Sequence, residues 1–227
     1  MTRDQTRRPM KVQVRAGRGR TLSSKLWLER QLNDPYVARA RREGFRSRAA
    51  YKLIEIDDKQ GLLRLGASVV DLGAAPGGWS QVAARRVGAA EGRGRVVAID
   101  LLEMQPVVGV EFLRLDFLDP IAPDAIKERL GGAADLVLSD MAPPATGHAA
   151  TDHLRSLALA EAGFAVAAAI LGAGGSFVAK LRQGGTESEL IEALKRSFTE
   201  LHWAKPPASR AESAETYIVA RDFRRPR

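Results

Sequence analysis

The stretch Ser68–Ser80 constrains the fold of this chain most, because an apolar strand there runs directly into a glycine-rich turn. The predicted strand ends on Asp71, and Gly73, Gly77 and Gly78 follow before a helical pattern begins. In doubly wound α/β sheets this order presents backbone N–H groups and a helix N-terminus to a nucleotide-like ligand. The turn therefore favours an α/β fold with a nucleoside site, although a tight βα turn without any ligand has the same pattern.

Acidic residues at predicted strand ends indicate the chemistry of such a ligand. A dinucleotide fingerprint would read G-x-G-x-x-G around a pyrophosphate, and the carboxylate of Asp71 would repel that group. A ligand with a positive charge and hydroxyls, such as S-adenosylmethionine, suits Asp71 better. Asp100 ends the second predicted strand, where a ribose diol is held in this architecture. Asp116 lies in the third, within reach of an adenine amino group.

The rest of the chain alternates strands with helices, which predicts a mostly parallel sheet covered on both faces. The expected fold class is a Rossmann-like, doubly wound α/β fold with seven strands. No helical pattern separates the last two strands, so the final strand, near 215–220, should insert antiparallel. Three short helices are predicted before the first strand, and Ser47 is the predicted N-cap of the third.

Charge and length divide the chain further. Residues 1–52 carry fifteen Lys or Arg against four acids, whereas the whole chain has a net charge of only +8. A basic extension on a mildly acidic domain is typical of a protein that binds RNA or DNA, although a solubilising tail has the same composition. We expect a disordered basic arm over 1–23, one domain over 24–222 and a basic tail over 223–227. Within the domain, a helical extension covers 24–62 and the Rossmann-like core covers 67–222.

Several kinds of site and of protein are disfavoured because the sequence lacks the residues they need. The chain has no cysteine, which excludes disulfides, thiolate nucleophiles and the cysteine adduct typical of pyrimidine C5 methylation. His148, His153 and His202 show no metal-ligand spacing, so no metal site is expected. The alanine-rich run 157–174 contains Glu161 and is interpreted as a buried helix, not a membrane span. We expect a cytoplasmic monomer, although the Arg-rich N-terminus also fits an organelle transit peptide.

Four residues on separate predicted elements are candidates for catalysis: Lys52, Asp140, Lys180 and Glu215. The last three lie at strand termini that meet at one edge of the sheet if the final strand is antiparallel. A buried lysine beside a second lysine loses its proton more readily, so it can act on a weak nucleophile such as a ribose 2′-hydroxyl. On spacing alone, two structural ion pairs explain these residues equally well.

With these residues in place, the sequence resembles the FtsJ-type (RlmE-like) ribosomal RNA 2′-O-methyltransferases over about 24–220. The motifs are S-R-A-A-Y-K-L over 47–53, D-L-G-A-A-P-G-G-W-S over 71–80, S-D-M-A-P over 139–143, G-G-S-F-V-A-K over 174–180, and S-R at 209–210 followed by E-T-Y-I-V-A over 215–220. The resemblance implies a catalytic tetrad of Lys52, Asp140, Lys180 and Glu215, with Lys180 as the general base. The implied S-adenosylmethionine contacts are Gly77, Trp79, Asp100, Asp116 and Asp140.

The resemblance also implies a substrate. Bacterial members of the family methylate one uridine ribose in the A-loop of large-subunit rRNA, preferring assembled subunits, so a 50S-type subunit is the expected partner. This chain departs from the family pattern at Pro144, where Asn is common, and at Leu181-Arg182, which replace a more apolar pair. These departures concern the loop shape near the substrate.

Three alternatives remain open. Relatives with the same tetrad methylate ribose in tRNA or in an mRNA cap. A non-catalytic RNA-binding assembly factor could retain the fold, although it would need neither Lys180 nor the cofactor positions. The run from Asp140 to Pro144 resembles the Asp-Pro-Pro-Tyr motif of amino-group DNA methyltransferases, but Ala145 stands where that motif has an aromatic residue.

Overall fold

A computed structural model of the protein describes residues 12–13, 22–144, 146–182, 187–210 and 213–224. Most of the predicted basic arm and the last three residues of the predicted tail lie outside the described residues. Residues 22 and 23, which were assigned to the arm, belong instead to the first helix.

In the described part of the chain, three helices precede the sheet: α1 (Leu22–Leu32), α2 (Pro35–Glu43) and α3 (Ala49–Gln60). The α2 helix has the predicted caps, because the Asp34 side chain accepts from the Tyr36 N–H and Gly44 follows the last turn. The prediction that Ser47 caps α3 is wrong, since Arg48 occupies the N-cap position without a side-chain cap bond. Ser47 Oγ instead lies against Gly78, where an added side chain would collide with it.

Seven strands form one sheet in the order β3-β2-β1-β4-β5-β7-β6. Their bounds are β1 (Ser68–Leu72), β2 (Arg95–Asp100), β3 (Val110–Arg114), β4 (Ala134–Ser139), β5 (Leu171–Arg182), β6 (Phe198–Ala204) and β7 (Glu215–Phe223). The β1 to β5 pairs are parallel, whereas β7 is antiparallel to both β5 and β6. The predicted fold class and the antiparallel last strand are therefore confirmed.

The remaining described helices are α4 (Gly78–Val87), α5 (Ala122–Leu130), α6 (Ala149–Ile170) and α7 (Ser188–Ser197). Two cores follow from the alternation of side chains along β1. Val69 packs with α3 and α4 on one face, whereas Val70 and Leu72 pack with α5 and α6 on the other. Both faces of the sheet are thus buried, and ligands can approach only its edges.

The α6 helix is long and apolar enough, by length and composition alone, to cross a membrane. Its residues Leu157, Val166, Ala167 and Ile170 are buried in the core beside β5. The core helix of an α/β domain meets the same length and composition criteria, and the packing agrees with the predicted buried helix.

The order of the strands fixes where the site lies. From β1 the chain winds outward through β2 to β3 and then crosses to β4 on the other side of β1. This reversal opens a crevice at the carboxyl ends of β1 and β4, which is where ligands bind in open α/β sheets. Leu72 and Ser139 are paired at the ends of these strands, so Gly73 and Asp140 follow them at the same edge.

Candidate active site

The glycine-rich turn closes tightly over the end of β1. The N–H groups of Gly73 and Ala74 donate to the Ile99 carbonyl at 2.9 and 3.2 Å. Gly77 is the N-cap of α4 with φ of 103°, a conformation that L side chains rarely adopt. Because the first N–H groups of a helix have no partner within it, the start of α4 can accept a polar ligand.

Asp71 lies deeper than predicted. The strand continues to Leu72, so Asp71 is inside β1 and only 2% exposed. Its carboxylate accepts from Ser80 Oγ at 2.6 Å. Burial raises the pKa of Asp71 to about 7; the negative charges of Asp140 and Asp100 raise it further, while the Ser80 hydrogen bond opposes the shift. The buried Asp71 carboxylate therefore holds the start of α4 onto β1 through Ser80. The sequence pattern did not indicate this role.

Asp100 is the last residue of β2, as predicted. One carboxylate oxygen accepts from the Ala75 N–H at 2.9 Å and the other from the Leu102 N–H at 2.8 Å. Each oxygen keeps a lone pair for a further donor. Asp100 thus connects the glycine turn to the loop after β2 and can still accept from a ribose diol.

Asp116 and Trp79 are placed differently from the expectation. The strand β3 ends at Arg114, so Asp116 lies two residues beyond it, where its carboxylate accepts from the Leu118 N–H at 2.9 Å. The Trp79 residue is 3% exposed, and its indole N–H donates to the Ala49 carbonyl at 2.8 Å. Its side chain is committed to the core, which leaves only its backbone N–H, at the start of α4, for a ligand.

The four predicted catalytic residues do meet. Lys52 Nζ lies 2.6 Å from Glu215 Oε1 and 3.6 Å from Asp140 Oδ1, and Lys180 Nζ lies 3.0 Å from the same Asp140 oxygen. Lys180 also donates to the Asp140 backbone carbonyl at 2.5 Å. The exposed fractions of the four side chains are between 10% and 22%. Two lysines and two carboxylates thus form one nearly buried cluster beside the β1–β4 crevice.

Tyr217 is a member of this cluster that the sequence analysis missed. Its hydroxyl lies 2.7 Å from Asp140 Oδ1 and 2.9 Å from Glu215 Oε1, so it bridges the two carboxylates. Burial and these carboxylates raise the pKa of Tyr217 well above its usual value, which keeps the phenol protonated. A signal was present, because residues 215 and 217 point to the same face of a strand.

Glu215 is held ionised by its neighbours. Burial of its carboxyl opposes ionisation, but the charge and hydrogen bond of Lys52, with Lys180 and Tyr217, outweigh it and lower the pKa of Glu215 to about 2. Ser209 Oγ also donates to Glu215 Oε1 at 3.0 Å. The segment around Ser209 is held on α3, because the Ala208 N–H donates to Glu55 at 2.7 Å. The N-terminal helices therefore position one side of the cluster.

Comparison with solved structures shows which class of enzymes shares this fold. A crystal structure described as a candidate ribosomal RNA methyltransferase from Plasmodium falciparum matches with a TM-score of 0.69 and 31% identity, covering 79% of this chain and 98% of that one. MycE methyltransferase, solved with Mg and SAH, shares the fold with a TM-score of 0.51 and 15% identity, over 78% of this chain and 47% of its own. The class is that of the Rossmann-like methyltransferases.

Sequence comparison identifies the family. The model of the FtsJ-like methyltransferases matches residues 45–223, and the chain belongs to that family. Ribosomal RNA large subunit methyltransferase E of Xanthobacter autotrophicus is 59% identical over 96% of this chain and 85% of its own length. The protein of the same name from Rhodopseudomonas palustris is 59% identical over 99% of this chain and 94% of its own.

Proposed function

We propose that this protein transfers a methyl group from S-adenosylmethionine to the 2′-oxygen of a uridine ribose in the A-loop of large-subunit rRNA, on the assembled subunit. Relatives named ribosomal RNA large subunit methyltransferase E, about 59% identical along nearly the whole chain, support rRNA as the substrate. The single observation that carries the ribose chemistry is the buried cluster of Lys52, Asp140, Lys180 and Glu215 beside the crevice.

The residues at the crevice fit S-adenosylmethionine. Asp100 offers its free lone pairs to the ribose diol, and Gly77 and Trp79 offer the backbone at the start of α4. Ala74, Ala98 and Met104 form a small apolar cluster beside them, which suits an adenine ring. Asp116 and Asp140 complete the proposed contacts. When bound, this cofactor supplies an electrophilic methyl group on a sulfonium.

The tetrad has a role for each member in this reaction. Lys180 takes the proton of the 2′-hydroxyl while the new carbon–oxygen bond forms and the carbon–sulfur bond breaks. Asp140 fixes the Lys180 nitrogen through its carboxylate and its backbone carbonyl. Lys52 and Glu215, paired at 2.6 Å, hold the ribose hydroxyl in line, so positioning supplies much of the rate.

Phosphate contacts are assigned to the basic N-terminal part of the chain. On α2, Arg41 and Arg42 are exposed, and residues 1–52 as a whole carry an excess of positive charge. Such contacts position RNA without reading its bases and weaken steeply with salt. The proposed active unit is a cytoplasmic monomer in which the basic arm precedes one methyltransferase domain.

A transfer assay tests the proposal. Labelled S-adenosylmethionine is offered with unmethylated large subunits, naked rRNA, tRNA and capped mRNA, and Lys180→Ala serves as the inactive control. We expect label on the large subunit, mapped to a uridine 2′-oxygen of the A-loop. Label only on tRNA or on a cap would overturn the substrate and keep the chemistry. If no RNA is labelled although the protein still binds the cofactor, a non-catalytic assembly factor becomes the favoured function.

A further inference from the structure

An open recess with a cavity volume of about 100 Å³ adjoins the catalytic cluster on the side away from the glycine turn. It is lined by Ala142, Pro143, Asp152, Ser156, Lys180, Leu181, Arg182, Ser213 and Glu215. Of the tetrad, only Lys180 and Glu215 reach it. The proposed cofactor contacts at the ends of β1, β2 and β3 take no part in its walls.

The position of the recess relative to the reacting atoms follows from the sheet. The cofactor crevice lies at β1, β2 and β4, whereas the recess lies at the ends of β4 and β5 and the start of β7. Arg182 and Glu215 are register partners on β5 and β7 and form one rim. A hydroxyl held at Lys180 therefore has the methyl donor on one side and the recess on the other.

The charges of the recess disfavour a phosphate. Among the described residues of its lining, two cationic side chains, Lys180 and Arg182, are balanced by two carboxylates, Asp152 and Glu215. A phosphate site would need a surplus of positive charge or a row of free N–H donors. Ala142 and Pro143 add apolar surface from the loop after β4. A charge-balanced recess with an apolar wall and few polar atoms suits an uncharged, flat, hydrogen-bonding group.

Ser156 provides a second, independent indication of a ligand. It lies on α6 one turn after Asp152 and is 6% exposed. The Ser156 hydroxyl has no hydrogen-bond partner among the residues that the structure describes, and it is not a fully buried atom, so it remains accessible from the recess. By contrast, the Asp152 carboxylate accepts from the N–H and the hydroxyl of Thr146, both at 2.7 Å. A hydroxyl that no protein group engages can donate to a ligand in the recess and can also accept from it.

We infer that this recess receives the nucleobase of the nucleotide whose ribose is methylated, with the Ser156 hydroxyl bonded to the edge of the base and Arg182 at the rim. The inference rests on the proposed ribose methylation, since the base is joined to the sugar carbon next to the one that bears the reacting oxygen. Seating the base in the recess fixes the rotation of the ribose, and this aims the 2′-hydroxyl at Lys180.

The first test removes only the hydroxyl. The RNA identified by the transfer assay is prepared in two forms, one with its target base and one with an abasic ribose at that position. We expect Ser156→Ala to lower kcat/KM roughly fivefold on the complete RNA, the loss of one hydrogen bond, and to leave the abasic RNA unaffected. An equal loss on both RNAs, or no loss on either, would overturn the inference.

The second test fills the recess. Ser156→Leu should lower kcat/KM on the complete RNA about a hundredfold by displacing the base, with the S-adenosylmethionine Kd and the Tm unchanged. Ala168→Leu, on the exposed side of the same helix, is the matched control and should keep full activity. Full activity of a folded Ser156→Leu would refute the base site while leaving ribose methylation intact. If that variant does not fold, the two RNAs with Ser156→Ala decide alone.

Discussion

The two sides of the β1–β4 crevice are built in different ways. On the β2 side, the Asp100 carboxylate binds backbone N–H groups of Ala75 and Leu102, and all of these contacts lie within about one βαβ unit. On the β5 side, Lys52, Asp140 and Tyr217 meet through side chains from α3, the end of β4 and β7. The cofactor side is thus fixed by local backbone geometry, and the catalytic side by long-range packing.

This difference predicts separable effects of mutation. Changes on the catalytic side should reduce turnover with little effect on cofactor affinity, because its side chains bond mainly to one another. Changes on the cofactor side should alter affinity and stability together. Asp140 contributes to both sides, so its substitution should change turnover and cofactor affinity together.

The largest effect is expected from Asp140→Asn. This change removes the anion that faces Lys52 and Lys180 and accepts from Tyr217. We expect turnover to fall about a thousandfold or more, since the site loses a charge within a cluster that acts as a unit. The S-adenosylmethionine Kd should rise as well, measured by calorimetry. Asp135→Asn, at the other end of β4, is the control, and an unchanged Kd in Asp140→Asn would remove Asp140 from the cofactor side.

The next effect concerns stability at the cofactor side. The pKa of Asp71 is raised to about 7 by burial, so its ionisation opposes folding. The protonated Asp71 carboxyl contributes fully to the free energy of unfolding below the unfolded pKa near 4. This contribution, on the order of 4 kcal/mol, is lost as the pH rises to the folded pKa of about 7. Asp71→Asn should abolish that decline, as measured by urea unfolding between pH 4 and 8. If the free energies of unfolding of the two proteins change with pH in parallel, Asp71 does not have a raised pKa.

Tyr217→Phe tests the bridge between the two carboxylates. The variant loses the hydroxyl, whose single proton is shared between the two carboxylates, but keeps the ring packed on Trp79 at a centroid distance of 5.7 Å. Turnover should fall roughly tenfold, and the free energy of unfolding by about 2 kcal/mol. Tyr51→Phe removes a comparable hydroxyl, one that bonds Glu43 away from the cluster, and should leave turnover unchanged. Equal turnover in the two variants would show that the bridge has no catalytic role.

The smallest effect is expected from Arg41→Gln on α2. Loss of one phosphate contact should weaken RNA binding a few-fold and lower the slope of log K against log salt by about 1. Binding is measured by filter retention between 50 and 200 mM salt, as a rough working range. Arg129→Gln on α5 serves as the control for net charge. If both variants shift the slope alike, α2 makes no specific phosphate contact.

The same contrast explains what could be predicted from the sequence. The glycine turn, the capped α2 helix and Asp100 at the end of β2 depend on neighbours close in the chain, and their patterns identified them. Lys180 and Asp140 were paired only because the direction of the strands predicts a shared edge, which the sheet confirms.

The predictions that failed all depended on contacts between residues far apart in sequence. The Tyr217 bridge was missed because it also depends on Asp140, which is far away in sequence; its one local signal was the strand face that residues 215 and 217 share. The predicted Ser47 cap failed because packing against Gly78 overrides local capping preference. Asp71 was placed at the strand end, whereas the sheet continues by one residue and buries it.

The measurement that tests the central claim most directly compares turnover with cofactor binding in Lys180→Ala, with Lys195→Ala on the exposed side of α7 as the control. If Lys180 takes the 2′-proton, methyl transfer is abolished while the S-adenosylmethionine Kd stays within about threefold of the wild-type value, less than 1 kcal/mol. A parallel loss of both, or substantial transfer by the variant, would contradict the assignment of Lys180 as the base.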